Sequence, residues 1–176
     1  MSGIQPKENL YANAIRTHSG IYMDVFAPTV DMIDINDIAH ALSNMCRFGG
    51  HLDRFYSVAQ HSVMVSRYCP IDVALQGLLH DAAEAYMLDM PSPIKKGLRN
   101  YKSVEIRLLK VIAKKFNFPF PMSGHVKIAD QERLEWEWKH MVLREPIPVG
   151  YRGSVWKREK AKERFLAEFR KLTRSN

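Results

Sequence analysis

The sequence predicts an all-α fold, a helical bundle with a small N-terminal β-hairpin, and three observations predict it. Apolar residues recur at helical spacing along most of the chain, and the breaks between those runs carry Pro, Gly and helix-capping residues. Only one stretch, 13–26, reads as strand: two β-compatible runs flank Ser19-Gly20, the pattern of a hairpin turn.

Each helix follows from its own start and stop. Asp34 or Asn36 caps a helix running through about Arg47, and Gly49-Gly50 stop it. A second helix covers roughly 55–68 and ends before Pro70. Asp72 caps a third, 73–88, and Pro91-Ser92-Pro93 breaks the chain after it. A short helix near 94–99, a long one over about 102–116, a Pro-rich turn at 118–121 and another long helix at 123–143 follow. Pro146 and Pro148 close that last one. A basic amphipathic helix at about 154–173 ends the chain, and with no repeat or low-complexity tract, 1–176 reads as one domain.

Composition bounds the function. At 176 residues and 46% hydrophobic, the chain can bury a real core without staples. Cys46 and Cys69 sit on apolar stretches read as helical, without metal-type spacing, and neither a signal-peptide pattern nor an apolar run of about 18 residues appears. The expected setting is therefore a reducing cytoplasm, with no membrane partner. The net charge is +7, but 152–176 alone carries nine basic and three acidic residues. There Trp156, Phe165, Leu166, Phe169 and Leu172 recur near helical spacing, so the charge reads as the solvated face of an amphipathic helix, not a nucleic-acid groove. Its apolar stripe suggests packing against a second subunit, hence a homo-oligomer.

Chemistry enters at His80-Asp81. These residues interrupt an otherwise apolar segment, VALQGLLHDAAEAYML, whose strongly polar side chains are Gln76, His80, Asp81 and Glu84. On one continuous helix they form a narrow stripe, and burying an imidazole with two carboxylates costs several kcal/mol unless each is satisfied. A divalent cation would satisfy all three. His61 lies in a second apolar helical stretch, and a further carboxylate is available from Asp130, Glu132, Glu135 or Glu137, among which spacing does not choose. Two imidazoles with two carboxylates suit several divalent metals, Mn, Mg, Co, Fe, Ni and Zn among them.

A His on one helix, a His-Asp on the next and a distant Asp resemble the signature of the HD-domain phosphohydrolase superfamily, read here as His61, His80-Asp81 and Asp130. The surrounding words Ala59-Gln60-His61-Ser62, Leu79 to Tyr86 and Asp89-Met90-Pro91-Ser92-Pro93-Ile94-Lys95 resemble those of bacterial 5'-deoxynucleotidases and small phage and bacterial HD hydrolases. With Ser19-Gly20, Asp37 to Ser43, Arg47 to His51 and Phe55 to Val58, the likeness spans about 15–135 and is nearest to phage-type dATP triphosphohydrolases.

That resemblance implies an HD-domain bundle and a divalent metal (Co, Mn, Zn or Mg) on His61, His80, Asp81 and Asp130, with further metal ions accompanying a triphosphate. It implies Glu84 as the group that orients or deprotonates water, Asp89 as a second acid near the metal, and Lys95 as a phosphate contact assisted by Lys96. Arg47 and Phe48 would hold phosphate or sugar, and Ser19, Gly20, Ile21 and Tyr22 would supply a wall against the base. The implied activity is hydrolysis of a deoxynucleotide, dATP first, to deoxynucleoside and triphosphate, in a bacterial or phage-infected cell. The alternative is a 5'-deoxynucleotidase acting on monophosphates. A metal-free helical adaptor would have lost a ligand or Glu84, and all are present.

Overall fold

The structure, a computed structural model, describes residues 14–149 and 154–174. The expected features that touch 1–13, 150–153 and 175–176, Arg152 among them, lie outside the described residues.

The fold is all-α with one small hairpin. Strand β1 (Ile15–Arg16) pairs antiparallel with β2 (Tyr22–Met23), and Gly20 turns the chain at φ +92°. Helices α1 (Ile35–Asn44), α2 (Val58–Tyr68), α3 (Ala74–Leu79), α4 (Glu84–Met87), α5 (Ser92–Gly97), α6 (Tyr101–Lys115), α7 (Gly124–Glu137) and α8 (Arg158–Arg174) follow. Asp34 caps α1 by accepting from Asn36 N–H and Asp37 N–H, and Ser57 and Ser123 cap α2 and α7 through their hydroxyls.

The centre of the bundle is α2, packed against α1, α3, α7 and α8. Helix α2 is buried on nearly every side, and its polar side chains are correspondingly satisfied: Ser66 Oγ donates to Ala74 O at 2.8 Å, and Gln60 bonds Ser154 O and Trp156 N at 2.8 Å each. Those last two bonds seat the approach to α8. Ala161, Phe165 and Leu172 of α8 then enter the core cluster beside Leu42, Val63 and Leu78. The apolar stripe that the sequence offers to a second subunit is covered by α1, α2 and α3 of the same chain, so it no longer argues for an oligomer.

Four local expectations need correction. The first helix stops at Asn44, and Cys46 is extended, bridged to Ser57. Asp72 is not a cap, since Val73 holds that position without a side-chain bond. The helix expected over 123–143 is α-helical to Glu137 and then widens into a π turn, Trp138–Val142. Most consequential, 73–88 is not one helix. His80 Nδ1 donates to Gly77 O at 2.8 Å, the carbonyl that Asp81 N–H would use in an uninterrupted α-helix. The backbone tightens in response: Ala82 N–H donates to Leu79 O, Glu84 N–H to Asp81 O and Tyr86 N–H to Ala83 O, all at 2.9–3.0 Å and all three residues back. Three residues per turn sets Asp81 and Glu84 on one face.

Gly77 sits where α3 meets the end of α2. A Cβ there would lie 2.7 Å from Cys69 Sγ and 3.2 Å from Ser66 Cα, so Gly77→Ala overpacks the contact and should cost about 1–3 kcal/mol. Urea denaturation followed by circular dichroism should show the midpoint fall. An unchanged midpoint would mean that the two helices separate freely.

Candidate metal centre

His61 arrives on the buried face of α2, Asp130 on α7, and His80 and Asp81 on the tight turn between α3 and α4. Their ends converge. His61 Nε2 lies 3.0 Å from Asp130 Oδ1 and 3.8 Å from Asp81 Oδ2, while His80 Nε2 lies 3.2 Å from Asp81 Oδ2 and 3.6 Å from Asp130 Oδ1. His61, His80 and Asp130 offer ligand atoms all within 4.8 Å of one another, a group that could hold a metal ion, and Asp81 stands beside both imidazoles.

The opposite ring nitrogens say what the convergent ones are for. His80 Nδ1 faces a carbonyl, which only accepts, so Nδ1 carries the proton. His61 Nδ1 lies 2.9 Å from Oε1 of fully buried Glu137. Burial works to raise the Glu137 carboxyl, but His61, Arg47 and Arg133 hold it at about 2, so it too only accepts. With each Nδ1 committed as a donor, Nε2 is the nitrogen that each ring has left to offer a metal, and both Nε2 atoms face carboxylate oxygens. His80 Nε2 is buried without a hydrogen-bond partner.

Such a set demands positive charge at its centre. Burial acts to raise Asp81 and Asp130, yet the imidazoles hold both far below the usual carboxylate range, and Asp81 and Asp130 push His80 well above its ordinary value against its burial. A divalent cation supplies that charge without protonating either ring, and the donor set, two imidazole nitrogens with hard carboxylate oxygens, fits one.

Beside these donors opens a cavity of about 800 Å³, in the size range of small-molecule sites. It is lined by Asp81 and Asp130, by Arg47, Phe48, Glu84, Asp89 and Lys95, and by Glu135, one of the four carboxylates that spacing left open. Lys96 is exposed outside it. Left-handed backbone shapes two of its approaches. Phe48 at φ 55° follows Arg47, and Leu88 at φ 70° precedes Asp89, conformations that non-glycine residues adopt at a cost. Glu84 Oε1 accepts from Lys95 Nζ at 2.7 Å, and its buried Oε2 has no hydrogen-bond partner. Burial, with Asp81 and Asp89, pushes the Glu84 carboxyl up to about 9 against the pull of Lys95. Burial would lower Lys95, but Glu84 and Glu105 outweigh it and hold the ammonium charged.

Two groups singled out in the sequence lie away from the cavity. Gln76, first residue of the polar stripe, accepts from Ser123 N–H at 2.8 Å and so anchors the start of α7. Ser19, Gly20, Ile21 and Tyr22 do not line the cavity: Ser19 donates to Asp37 through its N–H at 2.8 Å and its hydroxyl at 2.6 Å, which ties the turn to α1.

Glu137 and Trp138 emerge only in three dimensions. Glu137, one of four carboxylates left open, sits behind His61, and Trp138 lines the cavity with its ring 6.4 Å from that of Phe48. The available signal was spacing: Asp130, Arg133 and Glu137 recur at i, i+3 and i+7, one face of a helix.

No model of a known protein family matches the chain. The chain is 44% identical over 142 residues to the uncharacterized protein YfdR of Escherichia coli K12, across 81% of this chain and 76% of that protein. It is 34% identical over 138 residues to an uncharacterized protein of Rhodobacter capsulatus, across 69% of this chain and 70% of that one.

Proposed function

The chain belongs to one family with YfdR of Escherichia coli, and from the site that this family member builds we propose a metal-dependent hydrolase of deoxynucleotides, of the HD-domain type, acting on a deoxynucleoside triphosphate with dATP foremost. The observation that carries the reading is the pair of Nε2 atoms turned on shared carboxylates while each Nδ1 is fixed as a donor. His61, His80, Asp81 and Asp130 would hold the ion, with Co, Mn, Zn and Mg the candidates. When bound, it supplies Lewis-acid polarisation of a phosphate oxygen and of the attacking water.

The chain's own residues supply the remainder. Arg47 and Lys95 place two cations on the cavity wall, suited to a polyphosphate, and Lys95 can exchange Glu84 and Glu105 for phosphate oxygens. Phe48 and Trp138 offer aromatic faces to sugar or base. The free Oε2 of Glu84 is the acceptor for a proton from water. Attack on the α-phosphorus forms the new P–O bond and breaks the bond to the 5'-oxygen, which takes up a proton as deoxynucleoside leaves.

Purified protein incubated with each dNTP and dNMP and with Co, Mn, Mg or Zn tests the reading by chromatography of the products. dATP should give deoxyadenosine and inorganic triphosphate, with little turnover of ATP. Stepwise dADP and dAMP would overturn attack at the α-phosphorus. Activity confined to dNMPs would replace the triphosphate reading with the 5'-deoxynucleotidase one.

A further inference from the structure

Glu137 is 0% exposed and touches four donors. Its Oε1 accepts from His61 Nδ1 at 2.9 Å, Tyr56 OH at 2.8 Å and Arg133 Nε at 2.9 Å, and its Oε2 accepts from Arg47 Nε at 2.9 Å. Neutralising Arg47 and Arg133 would account for a buried carboxylate, but not for His61, since Oε1 already has two donors without it. The two oxygens divide between the proposed metal and the proposed phosphate contact. One holds a ligand imidazole; the other grips the guanidinium through Nε, with Nη1 3.7 Å from Asp81 Oδ2 on the cavity wall.

We infer that Glu137 is a positioning residue that sets the metal-ligand imidazole of His61 and the phosphate-binding guanidinium of Arg47 with a single side chain, so that metal affinity and phosphate affinity depend on it together. The inference rests on the metal-dependent reading above. A carboxylate that takes the distal N–H of a ligand His fixes its ring and makes its lone pair a better donor, an effect on the order of 10–100-fold in metal affinity. Gripping Arg47 by Nε leaves its outer N–H groups for the anion, and losing that alignment weakens an anion contact by roughly 10-fold or more.

The test uses metal-stripped full-length protein, titrated with Co²⁺ against a chromophoric chelator, and then with tripolyphosphate at a Co²⁺ concentration that saturates each variant. Glu137→Gln should bind Co²⁺ roughly 10–100-fold more weakly, with an altered visible Co²⁺ spectrum, and should also lose affinity for tripolyphosphate. Glu137→Asp keeps the buried charge but draws the carboxylate back, so it should show both losses even where the Gln variant does not fold. Arg47→Ala should lose tripolyphosphate binding and keep Co²⁺. Glu168→Gln, which removes another buried and paired carboxylate outside the cavity, should bind both like the parent. Parental Co²⁺ affinity and spectrum in a folded Glu137 variant would overturn the inference while leaving the metal site standing. A parent protein that takes up no metal would overturn the functional reading itself, and this inference with it.

Discussion

Asp130→Ala should strip the protein of bound metal and of hydrolysis together, while leaving it folded. Asp130 Oδ1 lies 3.0 Å from His61 Nε2 and 3.6 Å from His80 Nε2, nearer to the two Nε2 atoms taken together than Asp81 Oδ2 at 3.8 and 3.2 Å. Its side chain is 38% exposed, so truncation opens no cavity in the core. The residual pair of imidazoles would face Asp81 alone, and the expected loss of metal affinity exceeds the roughly 100-fold upper effect of removing a hydrogen bond to a ligand. Metal content by atomic emission, with circular dichroism as the control on folding, checks it. Stoichiometric metal in a folded variant would remove Asp130 from the ligand set.

Glu84→Gln should have the opposite profile: metal retained, stability nearly parental, turnover lower by about 100-fold or more. The substitution keeps shape and can still accept from Lys95, so what it removes is the capacity of Oε2 to take a proton. The pH dependence gives a second readout. A carboxyl raised to about 9 by burial and by Asp81 and Asp89 is largely protonated at neutral pH, and a divalent cation nearby pulls that value down. A general base works in its ionised form, so the rate should climb with pH through the Glu84 pKa in the parent protein, and this climb should vanish in the Gln variant. A variant that keeps both turnover and profile would reduce Glu84 to a partner for Lys95.

These residues were legible in the sequence to very different degrees. His80-Asp81 stood out because a charged pair inside an apolar segment must be satisfied, and this needs no knowledge of neighbours. Asp130 did not stand out. Three other carboxylates share its stretch of chain, and only the resemblance to HD-domain enzymes separated it from them before α7 was seen to turn it onto His61, 69 positions away. Glu137 was harder still: its partners Arg47, Tyr56 and His61 lie 90, 81 and 76 positions earlier.

Helical periodicity and the cap at Asp34 are local, and each could be read from a few consecutive residues because backbone bonds and caps reach no more than four positions. That local information was enough for the all-α fold and for the apolar faces of α2 and α8. It was not enough for what those faces meet. Only tertiary packing decided that α8 fills its own chain's core, that Gln76 turns to Ser123, and that Ser19 is held by Asp37 away from the cavity. The break after Leu79 lies between the two cases. The His80 bond to Gly77 is local, but a helix surrenders that carbonyl only where the ring gains something, and here the ring's other nitrogen is drawn to carboxylates, one of which α7 brings from across the bundle.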